Sequence, residues 1–382
     1  MHTGPAASDD DSAVYRNSDG YVLSGPEYLT VFDGATGKEL ATVSYPVPRG
    51  TVSSWGDDYG NRVDRFNGGA AFVKDGGNAA SGRPSIIQQR GYYTRMTVSA
   101  YNWRDGQLSK VWTFDSSASG NSAAAGQGCH TAMVADVDGD GAQEIIPGAS
   151  TINSDGTLRC TTKRDHGDAL HVGILVPSRK GVQAFMVHEG QGGYDVHDAS
   201  TCAFLVDVTG TGDNGRGAAD EVSASSPGAE FWSADDGSNM FSCETGKSVG
   251  AKPQSQNFLI YWDADDLREV EDSNVIAKPG AGTLLTASGC SGNNGTKNTP
   301  TLTADILGDW REELVIRETN NTALRVYTTT AVTKRRLFTL MHDPTYRMQV
   351  SFEQSSYNQP PHTGFFLGNG MTDPPKPDIT VK

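Results

Sequence analysis

The stretch CHTAMVADVDGDGAQEII, residues 129–146, runs from a short apolar segment into Asp136, Asp138, Asp140 and Glu144, then into a second apolar segment. Carboxylates set that closely repel one another, so a cation is expected among them. In the pattern D-x-D-x-D-G-x-x-E the alternate side chains converge on one side of a tight loop, and the glycine lets the backbone turn. Hard oxygen donors in that number suit calcium rather than magnesium or zinc. Such a loop ordinarily ties elements of a fold together and takes no part in chemistry, so a structural calcium is the expectation here.

The same motif has weaker relatives along the chain. GNRVDRFNGGAAFV begins at Gly60, FLVDVTGTGDNGRGAADEV at Phe204 and LTADILGDWREELVI at Leu302. Taking Asp64, Asp136, Asp207 and Asp305 as equivalent points gives an approximate repeat. At Asp305, Asp309 and Glu312 the acidic pattern is incomplete, and Arg311 fits a salt-bridged turn as well as an ion site. Asp207 and Asp213 are weaker again. Between these motifs lie segments that alternate apolar and polar residues around tight turns: YLTVFDGATGKELATV from Tyr28, VSAYNWRDGQLSKVWTF from Val98, FLIYWDADDLREVED from Phe258 and ALRVYTTTAVTKRRLFTL from Ala323. HVGILVPSRKGVQAFMVHE, from His171, is a more degenerate member. Period-two alternation around Asp-Gly or Thr-Gly is the hairpin signature. Repeated four-strand units of this kind predict an all-β chain, a β-propeller of about five or six blades with calcium-binding loops. The expected division is a polar segment over residues 1–20 and the propeller over 21–382.

Composition narrows the function. The 382 residues carry 46 Asp+Glu against 31 Lys+Arg, a net charge of −15, which argues against nucleic acid or an anionic membrane as partner. No apolar run is long enough for a membrane span. The first twenty residues contain no apolar signal core, as in the mature form of an exported protein. Five cysteines without CxxC spacing fit one or two disulfides rather than zinc. Cys243 with Cys290 is the first pairing expected, and Cys129 with Cys160 the second.

Chemistry has several candidate locations. HGDALHVG brings His166, Asp168 and His171 close together, Cys129-His130 leads into the acidic loop, and His188-Glu189 ends another strand. A cluster of histidines and carboxylates can bind metal, move protons or satisfy buried carbonyls, and spacing alone favours the last. GCSGNNGTKNTP and TGDNGRG each carry one cation, Lys297 and Arg216, on a loop of small residues where a polar ligand could approach. GYYTR, MHDPTYR and YNQPPHTGF add aromatics and basic groups, read as exposed; such rings either stack on sugars or pack between blades.

Together YLTVFDGATGKEL, WGDDYGNRVDRF, GYYTR, VADVDGDG, HGDALHVG, NNGTKNTP, ADILGDWREEL and YNQPPHTGFFLGNG resemble the rhamnogalacturonan lyases of polysaccharide lyase family eleven. The resemblance runs from about Tyr15 to the C-terminus. It implies an eight-bladed propeller with several calcium ions, acting on the alternating rhamnose–galacturonate backbone of pectin, rhamnogalacturonan I, by β-elimination. Members carry an N-terminal β domain and early blades before the segment matching SGPEYLTVFDG, so this chain is expected to lack them. By the same resemblance Lys297 is the base and Arg216 the carboxylate clamp, with the two roles exchangeable. His130, His166, Asp168 and Glu189 match a metal-holding cluster near the cleft. Asn294, Gly295, Thr296 and Tyr357 match residues that contact the sugar. The implied protein is extracellular and monomeric. Two rivals stand beside it: a non-catalytic calcium-stapled propeller that binds a glycan or a protein, and a glycoside hydrolase. The hydrolase needs two opposed carboxylates in the cleft, whereas the conspicuous ones here lie in calcium loops.

Overall fold

The structure, a computed structural model, describes residues 13–75, 82–210, 212–235, 237–374 and 376–377. Of the polar segment expected over 1–20, residues 1–12 lie outside that range. Six antiparallel sheets follow one another along the chain, over residues 66–115, 128–161, 169–208, 217–251, 258–286 and 302–327. The first five have four strands in sequence order and the sixth has three. They are called blades one to six below. A two-stranded sheet, Tyr28–Phe32 paired with Glu39–Ser44, precedes them. The expected propeller is therefore present, at the upper end of the expected count.

Local chemistry sets the hairpins. In blade one, Arg104 pairs with Gln107 across Asp105-Gly106, both at positive φ (51° and 74°). That is the mirror-image turn an Asp-Gly pair accommodates cheaply. The segment from Ala323 behaves differently: Leu324–Tyr327 is a strand, and residues 328–339 form none. They cross to the loop of blade five instead, where Thr333 Oγ1 donates to Ala264 O (2.9 Å) and Arg335 pairs with Asp266.

The repeat that does hold is one position per blade. Glu144, Gln183, Glu230, Glu269 and Glu313 each begin the second strand of blades two to six. Their side chains accept backbone N–H groups from the loop just before: Val137, Val176, Val222 and Ser223, Trp262 and Asp263, and Ile306 and Leu307. These positions lie roughly forty residues apart, a blade length. The four aspartates taken as equivalent are not: Asp136 and Asp305 sit in such loops, Asp64 precedes blade one, and Asp207 lies on the outermost strand of blade three.

A helix closes the ring. Pro344–Phe352 starts with Asp343 as cap, accepting from Thr345 N (2.8 Å) and Tyr346 N (3.4 Å), and with Pro344 at the position where a missing N–H costs nothing. On one side Ser355 Oγ and Ser351 Oγ accept the N–H groups of Gly68 and Ala70, on the inner strand of blade one. On the other, Glu353 Oε2 accepts Thr303 N and the Tyr346 hydroxyl accepts Asp305 N, at blade six. Gln349 donates to Val134 O and Val172 O of blades two and three. A Cβ on Gly69 would lie 2.5 Å from the Phe352 ring, so that glycine lets the helix seat. Tyr346, expected exposed, is fully buried, with its hydroxyl donating to Glu312 Oε1 (2.7 Å).

The disulfide also departs from expectation. Cys160, on the outer strand of blade two, is bonded to Cys202, in a turn of blade three, while Cys129, Cys243 and Cys290 are buried free thiols. Neither expected pairing occurs, because the bond joins neighbouring blades at their outer rim, a proximity that cysteine spacing does not encode.

In the acidic loop, Asp136, Asp138 and Glu144 each bring a carboxylate oxygen within 4.8 Å of the others. Asp140 lies outside that set: it faces Lys74 (2.6 Å) and accepts from Ala142 N. The repulsion is eased by Arg159 on Asp138 (2.8 Å) and by Gly139, Asp140 and Gly141 N–H groups on Asp136. Part of the expected cation is thus supplied by the chain's own side chains. The remaining set of three carboxylates still has the all-oxygen chemistry that suits calcium.

Candidate functional site

The opposite end of the propeller gathers the other candidates. His130 lies near the start of the strand Gly128–Ala135, and the acidic loop follows its far end, about 20 Å away at strand rise. His166 and Asp168 precede the strand Ala169–Gly173, Arg216 precedes Gly217–Asp220, and Lys297 precedes Leu302–Ala304. Four blades therefore deliver one residue or pair each to the same mouth.

Local geometry fixes each side chain. Gly167, between His166 and Asp168, packs so closely on blade three that a Cβ would fall 1.6 Å from Val187 O. No larger residue fits there, and the two flanking side chains are held in place. Lys297 closes a single helical turn, Gly295–Lys297, flanked by Asn294 and Asn298 at φ 61° and 49°. Asparagine is among the few residues that take this left-handed conformation readily. The loop is pinned by paired backbone bonds between Asn293 and Thr299, and Asn294 Nδ2 donates to Ser356 O (2.9 Å).

Asp168 is the hub. Its carboxylate takes Lys297 Nζ at 2.7 Å and lies 3.2 Å from His130 Nε2, while its carbonyl accepts from the Arg216 guanidinium at 3.4 Å. Arg216 is buried and also donates to Asn257 O (2.6 Å); its Nε has no hydrogen-bond partner among the described residues. Burial lowers its pKa to about 10, so it keeps its charge at neutral pH. Asn257 in turn reaches Thr296 O (3.3 Å) through its amide, tying the arginine to the lysine loop.

His130 is enclosed by aromatics. The Tyr92 hydroxyl is 2.9 Å from Nδ1, the Tyr93 hydroxyl 2.9 Å from Nε2, and the Tyr357 ring stacks on the imidazole at 4.1 Å. Lys297 Nζ lies 4.9 Å above that same Tyr357 ring. Burial, then the charges of His166, Arg65, Lys297 and Arg216, drive the His130 pKa down to about 2, so this imidazole is neutral. A neutral imidazole is the form that binds metal. His166 donates from Nδ1 to Gly128 O (2.6 Å), and its Nε2 is buried without a hydrogen-bond partner among the described residues, 3.3 Å from Glu189 Oε2. The ligand atoms of His130, His166, Asp168 and Glu189 all lie within 4.8 Å of one another. Two nitrogens and two carboxylates, with one nitrogen unpartnered, fit a divalent ion; the nitrogens depart from the all-oxygen set that calcium ordinarily takes.

The expected residues thus converge: Lys297, Arg216, Tyr357 and the four candidate ligands share one site, with Asn294, Gly295 and Thr296 on its lysine loop. His171 does not join them. It is buried beside His362 (2.9 Å) and Gly217 O. Tyr92, expected exposed, is fully buried against His130, and Asn257 carried no sequence signal at all.

Residues 3–377 match the family described as "Rhamnogalacturonan lyase family 11, C-terminal domain". The chain belongs to rhamnogalacturonan lyase family 11. Within the family it is similar to "Rhamnogalacturonan endolyase YesW" of Bacillus subtilis (strain 168), 52% identical over 376 residues, which cover 96% of this chain and 59% of that protein. It is also similar to "Rhamnogalacturonan exolyase YesX" of the same organism, 45% identical over 394 residues, covering 97% and 63%. The crystal structure of YesW superposes with a TM-score of 0.92 at 50% identity, over 98% of this chain and 64% of that one. The Bacillus licheniformis lyase structure gives 0.91 at 50%, over 97% and 63%. The chain therefore spans somewhat under two thirds of the family 11 proteins it matches.

Proposed function

We propose that this chain is the catalytic propeller of a calcium-dependent rhamnogalacturonan lyase, cutting the backbone of rhamnogalacturonan I by β-elimination and leaving a 4,5-unsaturated galacturonate. The observation that carries the reading is the convergence of Lys297 and Arg216 on Asp168, beside a cluster of histidine and carboxylate donors. Elimination removes the proton on C5 of galacturonate, forms the C4–C5 double bond and expels the oxygen on C4. The C5 proton is weakly acidic, so positive charge must meet the uronate carboxylate as the enolate forms. When bound by His130, His166, Asp168 and Glu189, a divalent ion would supply part of that charge. Arg216 supplies a fixed share, with its Nε–H uncommitted. Lys297, held at the mouth by Asp168, takes the C5 proton. Asn294 and Thr296 shape the loop that meets the sugar, and Tyr357 offers it a ring face. The disulfide between Cys160 and Cys202 supports export to an oxidising compartment.

The test is incubation with rhamnogalacturonan and calcium while following ultraviolet absorbance of the unsaturated uronate. New reducing ends without that absorbance would mean hydrolysis and overturn the proposal; binding without product would favour a glycan-binding propeller. Lys297→Ala is expected to lower turnover by about 10²–10⁴, with calcium-dependent melting unchanged.

A further inference from the structure

The mouth of the site holds a cation, Arg62, with no role in the proposed proton transfer. Arg62 is half-buried, on the segment leading into blade one. Its guanidinium lies over the face of Tyr93, 3.6 Å from the ring centroid, and makes no hydrogen bond among the described residues. His166 packs against the same ring at 4.1 Å, and the Tyr93 hydroxyl touches His130, so Arg62 is fixed to the site's wall. Its neighbour Arg65 is different: both its Nε and a terminal nitrogen are tied to Asn61. A guanidinium carries five donors, and one that is oriented by stacking yet offers them to nothing is prepared for an external acceptor.

The electrostatic setting points the same way. The chain as a whole is acidic, with a net charge of −15. Yet the charges that bear on His130 and Glu189 include Arg62, Arg65, Arg216 and Lys297. Set against the carboxylates of Asp168 and Glu189, these four cations leave the mouth net basic, which concentrates anions. Planar, bidentate donors favour carboxylates in particular. Two side chains, His130 and Tyr93, separate Arg62 from Asp168 and Lys297. In a polymer whose uronates alternate with neutral sugars, one carboxylate at Arg216 leaves the next to meet a separate cation.

We infer that Arg62 is a second uronate subsite, binding the carboxylate of the galacturonate next along the chain from the one cleaved. The inference rests on the lyase reading and deepens it. It makes Arg62 a binding residue that selects for length and charge, with no part in proton transfer.

The experiment compares two rhamnose–galacturonate oligosaccharides, one containing only the scissile galacturonate and one carrying a second. Wild-type protein is expected to favour the longer by about tenfold to a hundredfold in kcat/KM, the range for a hydrogen-bonded charge pair. Arg62→Ala should remove that preference, chiefly through KM on the longer oligosaccharide. Arg62→Lys should restore part of it. An equal fall in kcat on both substrates would show that Arg62 merely props Tyr93 and His130, and would overturn the inference. An undiminished preference in Arg62→Ala would do the same. Failure of the wild type to release unsaturated product from either substrate would sink the lyase reading itself, which keeps the two failures distinct.

Discussion

Two acidic loops lie on the same face of the propeller and are built to one plan, yet they handle their charge in opposite ways. In blade two, Asp136, Asp138 and Glu144 face one another, and the chain's own cations, Lys74 and Arg159, sit on Asp140 and on Asp138. In blade five, Asp263, Asp265 and Glu269 converge equally closely, but Lys278 reaches between them, with Nζ at 2.5, 2.5 and 3.3 Å. The ammonium occupies the place a metal would take. An acidic triad alone therefore does not mark an ion site; the test is whether a side chain of the fold already fills it.

The largest effect should come from withdrawing calcium. If blade two binds the ion, calcium at about a hundred times its dissociation constant stabilises the fold by about 2.7 kcal/mol. A chelator should lower the melting temperature accordingly, and Asp136→Asn should abolish that response. An unchanged melting curve would mean that blade two, like blade five, is self-sufficient. Next, Lys278→Met should cost about 2 kcal/mol, below the range for a fully buried pair because the lysine is partly exposed. More telling, the variant should become responsive to added calcium at blade five, where the wild type is indifferent. Melting curves of Lys278→Met with the blade-two loop disabled by Asp136→Asn isolate that gain; its absence would break the equivalence of ammonium and ion. The smallest effect should follow from Lys74→Ala, which removes a solvent-screened surface pair that contributes little to stability. Its measurable consequence is a modest tightening of calcium binding, read by titration calorimetry, because a competing positive charge has gone.

The hairpins were legible in the sequence because strand alternation and Asp-Gly turns act locally: Asp105-Gly106 turns where it must. The true blade repeat was harder to see. It rests on one carboxylate or amide per blade, at Glu144, Gln183, Glu230, Glu269 and Glu313, whose role is to accept loop N–H groups. Loops of different length move that residue relative to the more conspicuous aspartates. Blade five was read as a plain hairpin for the same reason, since the lysine that completes its triad comes from the next strand. The site was recognised through resemblance more than spacing. Lys297 and Arg216 lie on loops eighty residues apart (297−216=81), and only ring closure brings both to Asp168. Tyr92 looked like a surface aromatic because burial against His130 arises between blades. The Cys160–Cys202 bond and the helix Pro344–Phe352 likewise depend on which blades become neighbours.

That helix has a consequence for how the molecule comes into being. Gly68 meets Ser355 across 287 positions of chain, and Ala70 meets Ser351 across 281. During synthesis the inner edge of blade one must wait, without its partners, while the 281 positions between Ala70 and Ser351 are translated. Contacts so distant in sequence are slow to form and leave strand edges open to other chains in the meantime. The inner edge of blade one is therefore complete only once the helix Pro344–Phe352 and the turn after it have been made.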